Sequence, residues 1–346
     1  MSEQKLFESA MVLLRDMAGD SSAARKSSAA DAEAGIRFPL HWLSDLGTKQ
    51  AGEMARTWRR IPLEARRDLM ARMEEAAREN FELDFLAVAR IALNDEDAEV
   101  RVHAIRAFWE CGEVRLVDRF LHFLDQDPDP SVRAAAASAL GAFVERSELE
   151  EIPASVGERI AARLIAVIRG RDDLEVRRRA LESVGYSSHP QVRAILENGY
   201  AHPDERMRGS ALLAMGRSAD HAFSALVIEE LRSPSLLLRA EAARAAGALG
   251  LKHSLPRLIE LLEDVDAGVR GNSIDALGEI GGERARAALE KMQLQSSGEE
   301  WERIETALEN AEFQDSLGDL PLLDLEGEDL EEEMDEEEDD EWEDGD

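Results

Sequence analysis

Residues 127–141 read DPDPSVRAAAASALG, and their pattern decides the fold. Asp129 is a residue type whose side-chain oxygen accepts from the free N–H groups that open a helix. From Val132 onward apolar residues recur at helical spacing, and Gly141 follows Leu140. The arrangement recurs in DEDAEVRVHAIRAF (95–108), RDDLEVRRRALESVG (171–185), HPDERMRGSALLAMG (202–216), SPSLLLRAEAARAAG (233–247) and VDAGVRGNSIDALG (265–278). Each unit holds an arginine at the same place: Arg101, Arg133, Arg177, Arg208, Arg239 and Arg270. The intervals between them are 32, 44, 31, 31 and 31 residues.

Aligned on that arginine, the units give columns with physical meaning. Four residues before it stand Asp97, Asp129, Asp173, Asp204, Ser235 and Asp266, all helix-capping types. Pro128, Pro203 and Pro234 precede three of them and stop the helix before. The columns at −1, +3, +4, +6 and +7 are almost wholly apolar; in the fifth unit they hold Leu238, Ala242, Ala243, Ala245 and Ala246. At about 100° per residue they form one broad helical stripe. The +8 column is glycine at 141, 185, 216, 247 and 278, with Trp109 as the exception. Glycine there either permits close helix approach or begins to end the helix.

Second amphipathic segments, such as HAFSALVIEELR (221–232), lie between these helices. The unit is therefore a helical hairpin that cannot bury its stripe alone and must stack on its neighbours. The register continues backward to Arg66, with Leu69 and Met73 in core columns, and forward to Trp301, with Ile304, Ala307 and Leu308. This predicts an all-α solenoid of about seven hairpins plus a closing helix over 44–312. The long interval between Arg133 and Arg177 places an insertion at 145–157, ERSELEEIPASVG, expected as an acidic loop or a plain spacer.

The pattern Asp-x-x-V-R-x-x-A-x-x-A-L-G resembles the HEAT repeat in its short, phycobilin lyase-like form. The likeness covers most of residues 60–312 and implies a right-handed α-solenoid. It also implies that the Asp and Arg columns form a structural ladder between repeats: Asp97, Arg101, Asp129, Arg133, Asp173, Arg177, Asp204, Arg208, Arg239, Asp266 and Arg270.

The chain carries 74 acidic and 41 basic side chains in 346 residues, a formal charge of −33. Nineteen of the acidic residues, and no Lys or Arg, lie in 315–346, which leaves −14 for the rest. A field of this sign repels phosphate backbones, so no direct nucleic-acid binding is expected. A single cysteine, Cys111, excludes an intrachain disulfide and fits a reducing compartment. The opening MSEQKLFESAMVLLRDM lacks a basic segment followed by an unbroken apolar run. No apolar stretch is long enough for a membrane helix. A cytoplasmic protein without membrane contact is expected.

Catalytic constellations are missing from the sequence. HEAT-like deoxyhypusine hydroxylases, which resemble these repeats, carry His-Glu dipeptides that hold two irons; none of the seven histidines here is followed by Glu. No HExxH or Cys/His zinc spacing occurs, nor GxSxG, GxxxxGK[ST] or GxGxxG. Cys111 stands between Glu110 and Glu113, without the basic neighbours that activate a thiol. No catalytic residue, metal or cofactor is expected, although the family likeness leaves a bilin lyase-like enzyme, or its accessory subunit, as an alternative.

The columns +1, +2, +5 and +9 oppose the core stripe, and in HEAT-like solenoids this face of the second helix is typically concave. They hold His103, Arg106, Arg178, Arg179, Glu182, Tyr186, Arg217, Glu241, Arg244, Asn272 and Asp275, mixed in sign and interspersed with Ala, Gly and Ser. A nucleic-acid groove needs a continuous basic stripe with stacking aromatics. The list fits a protein- or peptide-docking surface and equally an ordinary solvated face.

Elsewhere, RTWRRIPLEARRDLMAR (56–72) concentrates six arginines around Trp58. Residues 1–17 form an amphipathic helix with Leu6, Ala10, Leu13, Leu14 and Met17 on one face, and 18–35 read as a flexible linker. The segment 313–346 reads as a disordered acidic tail with interleaved leucines and Trp342. Such a tail suits docking on basic, partly apolar surfaces, either on a partner associated with nucleic acid or on this chain's own Arg56–Arg72 or 159–179 stretches. The expected function is a non-enzymatic scaffold or adaptor that binds a protein or peptide, of undetermined oligomeric state.

Overall fold

The computed structural model describes residues 3–17, 39–109 and 111–318. The linker 18–35, Glu110 and the tail from 319 lie outside them. Among the described residues every regular element is helical. An N-terminal helix α1 (Glu3–Met17) precedes eight successive helix pairs: α2 (Thr48–Trp58) with α3 (Leu63–Glu79), α4 (Leu86–Ala92) with α5 (Ala98–Arg106), α6 (Arg115–Gln126) with α7 (Pro130–Glu148), α8 (Ala154–Arg169) with α9 (Leu174–Val184), α10 (Val192–Tyr200) with α11 (Glu205–Arg217), α12 (Ser224–Glu230) with α13 (Leu236–Ala248), α14 (Leu255–Leu261) with α15 (Ala267–Ile280), and α16 (Glu283–Gln293) with α17 (Glu299–Gly318). The second helices α3 to α17 pack consecutively on one another, which makes the molecule an α-solenoid. The closing element is thus a full hairpin, α16–α17, rather than one helix.

The capping column works as its chemistry predicts. Asp97, Asp129, Asp173, Asp204, Ser235 and Asp266 each accept from a backbone N–H in the first turn of their helix. Each such cap stabilises its helix by about 1 kcal/mol. Behind the caps the stripe columns are buried: Val132, Ala136, Ala137 and Leu140 are fully enclosed, as are Ala242, Ala243 and Ala246.

The glycine column is there for close approach. A methyl group added at Gly141, Gly185, Gly216, Gly247 or Gly278 would stand 2.7–3.3 Å from the Cα of Ser183, Ala214, Ala245, Ala276 or Ala307, the +6 residue of the next unit. Backbone meets backbone at these points, so the small residues of both columns set the spacing of the second helices.

The arginine ladder exists, but through another acidic column than expected. The capping carboxylates are engaged by their own helices. The arginines reach instead to the acid one or two residues before the next cap: Arg101 to Asp127 (2.8 and 2.9 Å), Arg133 to Asp172 (2.6 Å), Arg239 to Asp264 (2.9 and 3.1 Å) and, in the first unit, Arg66 to Asp95 (2.6 Å). Arg270 reaches Glu300 (3.1 Å). Asp95, Asp127 and Asp264 also accept from the backbone N–H of the cap residue, which fixes the turn. Where that column holds His202 or Ser233 the rung has no carboxylate. Arg177 then donates to the Ile168 carbonyl, and Arg208 to the carbonyls of His202 and Pro203.

Three boundaries differ from the sequence reading. The insertion does not project as an acidic loop: it lengthens α7 to Glu148 and starts α8 at Ala154, because Val144 and Ser147 are buried and Ser147 packs on Gly157. The array does not stop at 312. Helix α17 runs to Gly318, and Asp315 accepts from the Gly282 N–H (2.8 Å) and pairs with Arg286 (3.0 Å). Helix α1 buries Phe7, Ala10, Met11 and Leu14 against α2 and the short 3-10 helix Leu40–Leu43, leaving Leu13 exposed, so its packed face is rotated from the expected one. No helix among the described residues is long and apolar enough to cross a membrane.

Candidate partner-binding face

The second helices carry the columns +1, +2, +5 and +9 on the side away from the core stripe. Two grooves lie along them. One, of about 590 Å³, crosses the C-terminal ends of α7, α9, α11 and α13; the other, of about 510 Å³, lies across α5, α7 and α9.

Most of the predicted face residues come together between these grooves. Glu182 on α9 is buried and is the hub. Its carboxylate accepts from Arg179 (2.9 Å) and from the Ser210 hydroxyl of α11 (2.7 Å), and its backbone carbonyl accepts from Arg217 (2.9 Å). Arg178 donates to Ser210 Oγ (3.0 Å) and to Glu175 (2.7 Å). Arg217 lies 4.7 Å over the Tyr186 ring, and burial pushes the Tyr186 hydroxyl above its usual range. On α13, Glu241 is held above the ordinary carboxylate range by burial, against the pull of Arg244, and its Oε2 has no hydrogen-bond partner among the described residues. The hydrogen bonds among them tie α9 to α11.

The remaining predicted residues fall outside that cluster. Asn272 bonds across to the Ala240 carbonyl (2.8 Å), and Asp275 holds Arg303 of α17 in a two-pronged pair (2.7 and 2.8 Å). Both join neighbouring helices. His103 donates through Nδ1 to Glu74 of α3 (2.6 Å), which also accepts from Arg78 (2.6 Å). Burial raises the Glu74 carboxyl, but the His103 hydrogen bond and the charges of Arg78 and Arg106 outweigh it and hold the group below its ordinary range.

The groove across α5, α7 and α9 owes its shape to contrast in side-chain size. Ala134, Ala135 and Ala142 of α7 form the floor, while longer residues of α5 and α9 stand on either side. Arg78, Arg106 and Arg179 line it, with Glu175 as its only lining carboxylate among the described residues. At one end Trp109, 46% exposed, leans on Phe81, 73% exposed, with ring centroids 6.5 Å apart. Trp109, Arg78 and Glu74 were missed as site residues, although a signal for Trp109 existed. It is the one break in the glycine column. Helix α5 ends at Arg106, so position 109 is beyond the helix and can carry a large ring.

The basic stretch 56–72 is not a patch in space. Trp58 is buried and donates to Asp95 (2.6 Å), beside Arg66. Arg67 binds Asp97 (2.6 Å) and holds its carboxyl below the usual range through that hydrogen bond. Arg72 pairs with Asp68 (3.6 Å). In 159–179, Arg159 pairs with Asp118 (2.9 Å), and Arg163 pairs with Asp125. Among the described residues no group of three or more His, Cys, Asp or Glu is placed to hold a metal.

A family model described as HEAT repeats matches residues 86–154 and 224–309. Among solved structures, the chain is similar to the complex of CpcE and CpcF of phycocyanin lyase from Nostoc sp. PCC7120, with 20% identity, 65% of this chain and 94% of that one covered, and a TM-score of 0.44. Human deoxyhypusine hydroxylase in complex with glycerol is 18% identical over 77% of this chain and 96% of that one, with a TM-score of 0.35. Importin beta is 13% identical over 79% of this chain and 43% of that one, with a TM-score of 0.41. No curated protein matches the chain.

Proposed function

We propose that this chain, whose residues 86–154 and 224–309 match HEAT repeats, is a non-enzymatic scaffold that binds a protein or peptide along the exposed side of its second helices. The observation that carries this reading is the pair of adjacent open grooves on one face, floored by small side chains and walled by charged ones. Large apolar groups are exposed at both: Trp109 in one and Leu149, 64% exposed, in the other. A regular solenoid supplies such a surface because each repeat adds one helix to it at fixed spacing. The residues proposed to meet the partner are His103, Arg106, Arg178, Arg179, Glu182, Tyr186, Arg217, Glu241, Arg244, Asn272 and Asp275, joined now by Trp109. Of these, Glu182, Asn272 and Asp275 act by positioning neighbours, since their polar atoms are engaged between helices.

Affinity capture with the full chain, a Trp109→Ala/Arg244→Ala variant and an Arg115→Ala variant tests it; Arg115 lies on the outer helix α6 with its side chain 89% exposed. A protein retained by wild type and Arg115→Ala but lost from the double variant is the expected result. If no protein distinguishes the two variants, the face is not the docking surface.

A further inference from the structure

The two grooves differ in the sign of their walls. The one at the C-terminal helix ends is lined by Glu145, Glu148 and Glu279 against Arg217 and Arg244, and Arg217 is already engaged by Tyr186 and the Glu182 carbonyl. The one across α5, α7 and α9 is lined by three arginines and one glutamate. Glu74 and Glu182, which anchor Arg78 and Arg179, are buried and do not line it. Arg106 is exposed and meets no carboxylate within ion-pair distance among the described residues. In a chain of net charge −33, this groove thus exposes three guanidinium groups, Arg78 and Arg179 paired with Glu74, Glu175 and Glu182 and Arg106 left without a carboxylate among the described residues, over an alanine floor with an exposed tryptophan at its end.

The chemistry that fits such a trough is a run of carboxylates interrupted by apolar side chains. The chain contains one. Residues 319–346 hold 18 Asp/Glu, no Lys or Arg, and Leu320, Leu322, Leu323, Leu325, Leu330, Met334 and Trp342. Helix α17 ends at Gly318, five second-helix positions from α7. At roughly 8–10 Å per packed helix that is about 40–50 Å, while 28 residues reach at most about 90–100 Å. Of the arginine stretches 56–72 and 159–179, Arg66 is buried on Asp95, Arg159 and Arg163 pair with Asp118 and Asp125 from the outer helix α8, and Arg179 belongs to this groove.

We propose that the groove across α5, α7 and α9 is a docking site for the chain's own residues 319–346, with carboxylates on Arg78, Arg106 and Arg179 and an apolar side chain beside Trp109. The inference rests on reading this face as a docking surface and gives half of it an intramolecular occupant that competes with a partner.

The single cysteine, Cys111, two residues from Trp109, allows a direct test on the full chain. A nitroxide attached there broadens the NMR signals of any segment within about 20 Å. At low salt, signals from 330–342 are expected to lose at least half their intensity relative to the reduced label. The loss should disappear in Arg106→Glu and be screened at about 0.5 M salt, where the Debye length falls to a few ångströms. Undiminished signals at low salt overturn the proposal, as does broadening that survives both Arg106→Glu and high salt. Broadening that appears only when labelled and isotopically enriched chains are mixed assigns the groove to a second copy and also overturns it. Broadened tail signals with no partner captured either by the full chain or by a chain ending at 318 count against the scaffold reading alone; unbroadened signals with capture intact count against this inference alone.

Discussion

Arg56–Arg72 and the trio Arg78, Arg106 and Arg179 make opposite use of the same side chain. The first set is contiguous in sequence, yet the fold takes it apart: Arg66 is buried on Asp95, Arg67 grips the cap of α5, and Arg72 pairs along its own helix. The second set comes from three different repeats and lines one groove. A helix turns neighbours in sequence onto different faces, whereas stacking brings equivalent columns of successive repeats side by side. In this molecule, charge density along the chain therefore says little about charge density in space.

The largest test of that contrast is Arg66→Ala. It leaves the buried Asp95 without its cation and should cost about 3–5 kcal/mol, read as a fall in the chemical-denaturation midpoint. If the loss is small, Arg66 is not structurally engaged and the contiguous stretch regains standing as a patch.

Helix spacing, which brings the separated arginines together, is probed next. Gly278→Ala sets a methyl group 2.7 Å from the Ala307 carbonyl and should destabilise by about 1–3 kcal/mol. Gly52→Ala in α2 meets only Arg56 Nη1 at 3.9 Å and should instead stabilise by up to about 1 kcal/mol through helix propensity. Equal effects at the two sites would refute the close-approach account.

The paired acids give a pH signature of intermediate size. Asp97, held down by Arg67, and Asp264, held down by Arg239, have carboxyls below the usual aspartate range. Their contribution is present above about pH 4 and is lost as pH falls through their folded values. Glu241, raised by burial, has the reverse sign: its contribution is present at low pH and is lost as pH rises through its folded value. Denaturation midpoints measured from pH 6 down to pH 3 should therefore fall, and Asp264→Asn should fall less steeply than wild type.

The smallest effect is expected where the comparison predicts none. Arg106→Ala and Arg56→Ala should each change stability by less than about 0.5 kcal/mol, since both are exposed. Only Arg106→Ala should weaken occupancy of the groove, measured by nitroxide broadening or partner capture.

Much of this was legible before the structure. The cap column, the glycine column and the Arg66 and Trp301 extensions all rest on local rules: capping chemistry, helical periodicity and repeat length. The ladder was legible only in part, because two acidic columns stand near each arginine and choosing between them needs the turn geometry. The groove was half visible, in the small residues Ala134 and Ala135 and in Trp109 breaking the glycine column. Arg78 was invisible, since nothing at its position in sequence relates it to Arg106 or Arg179.

By itself, then, the sequence determined an all-helical stack of hairpins, where its helices begin and which stripe they bury, because each depends on residues within one or two turns. Only the tertiary structure decided which acid each arginine meets and which arginines line a groove. Pairing depends on what the next repeat presents across the helix–helix interface, and that register is set by backbone contacts such as Gly278 on Ala307.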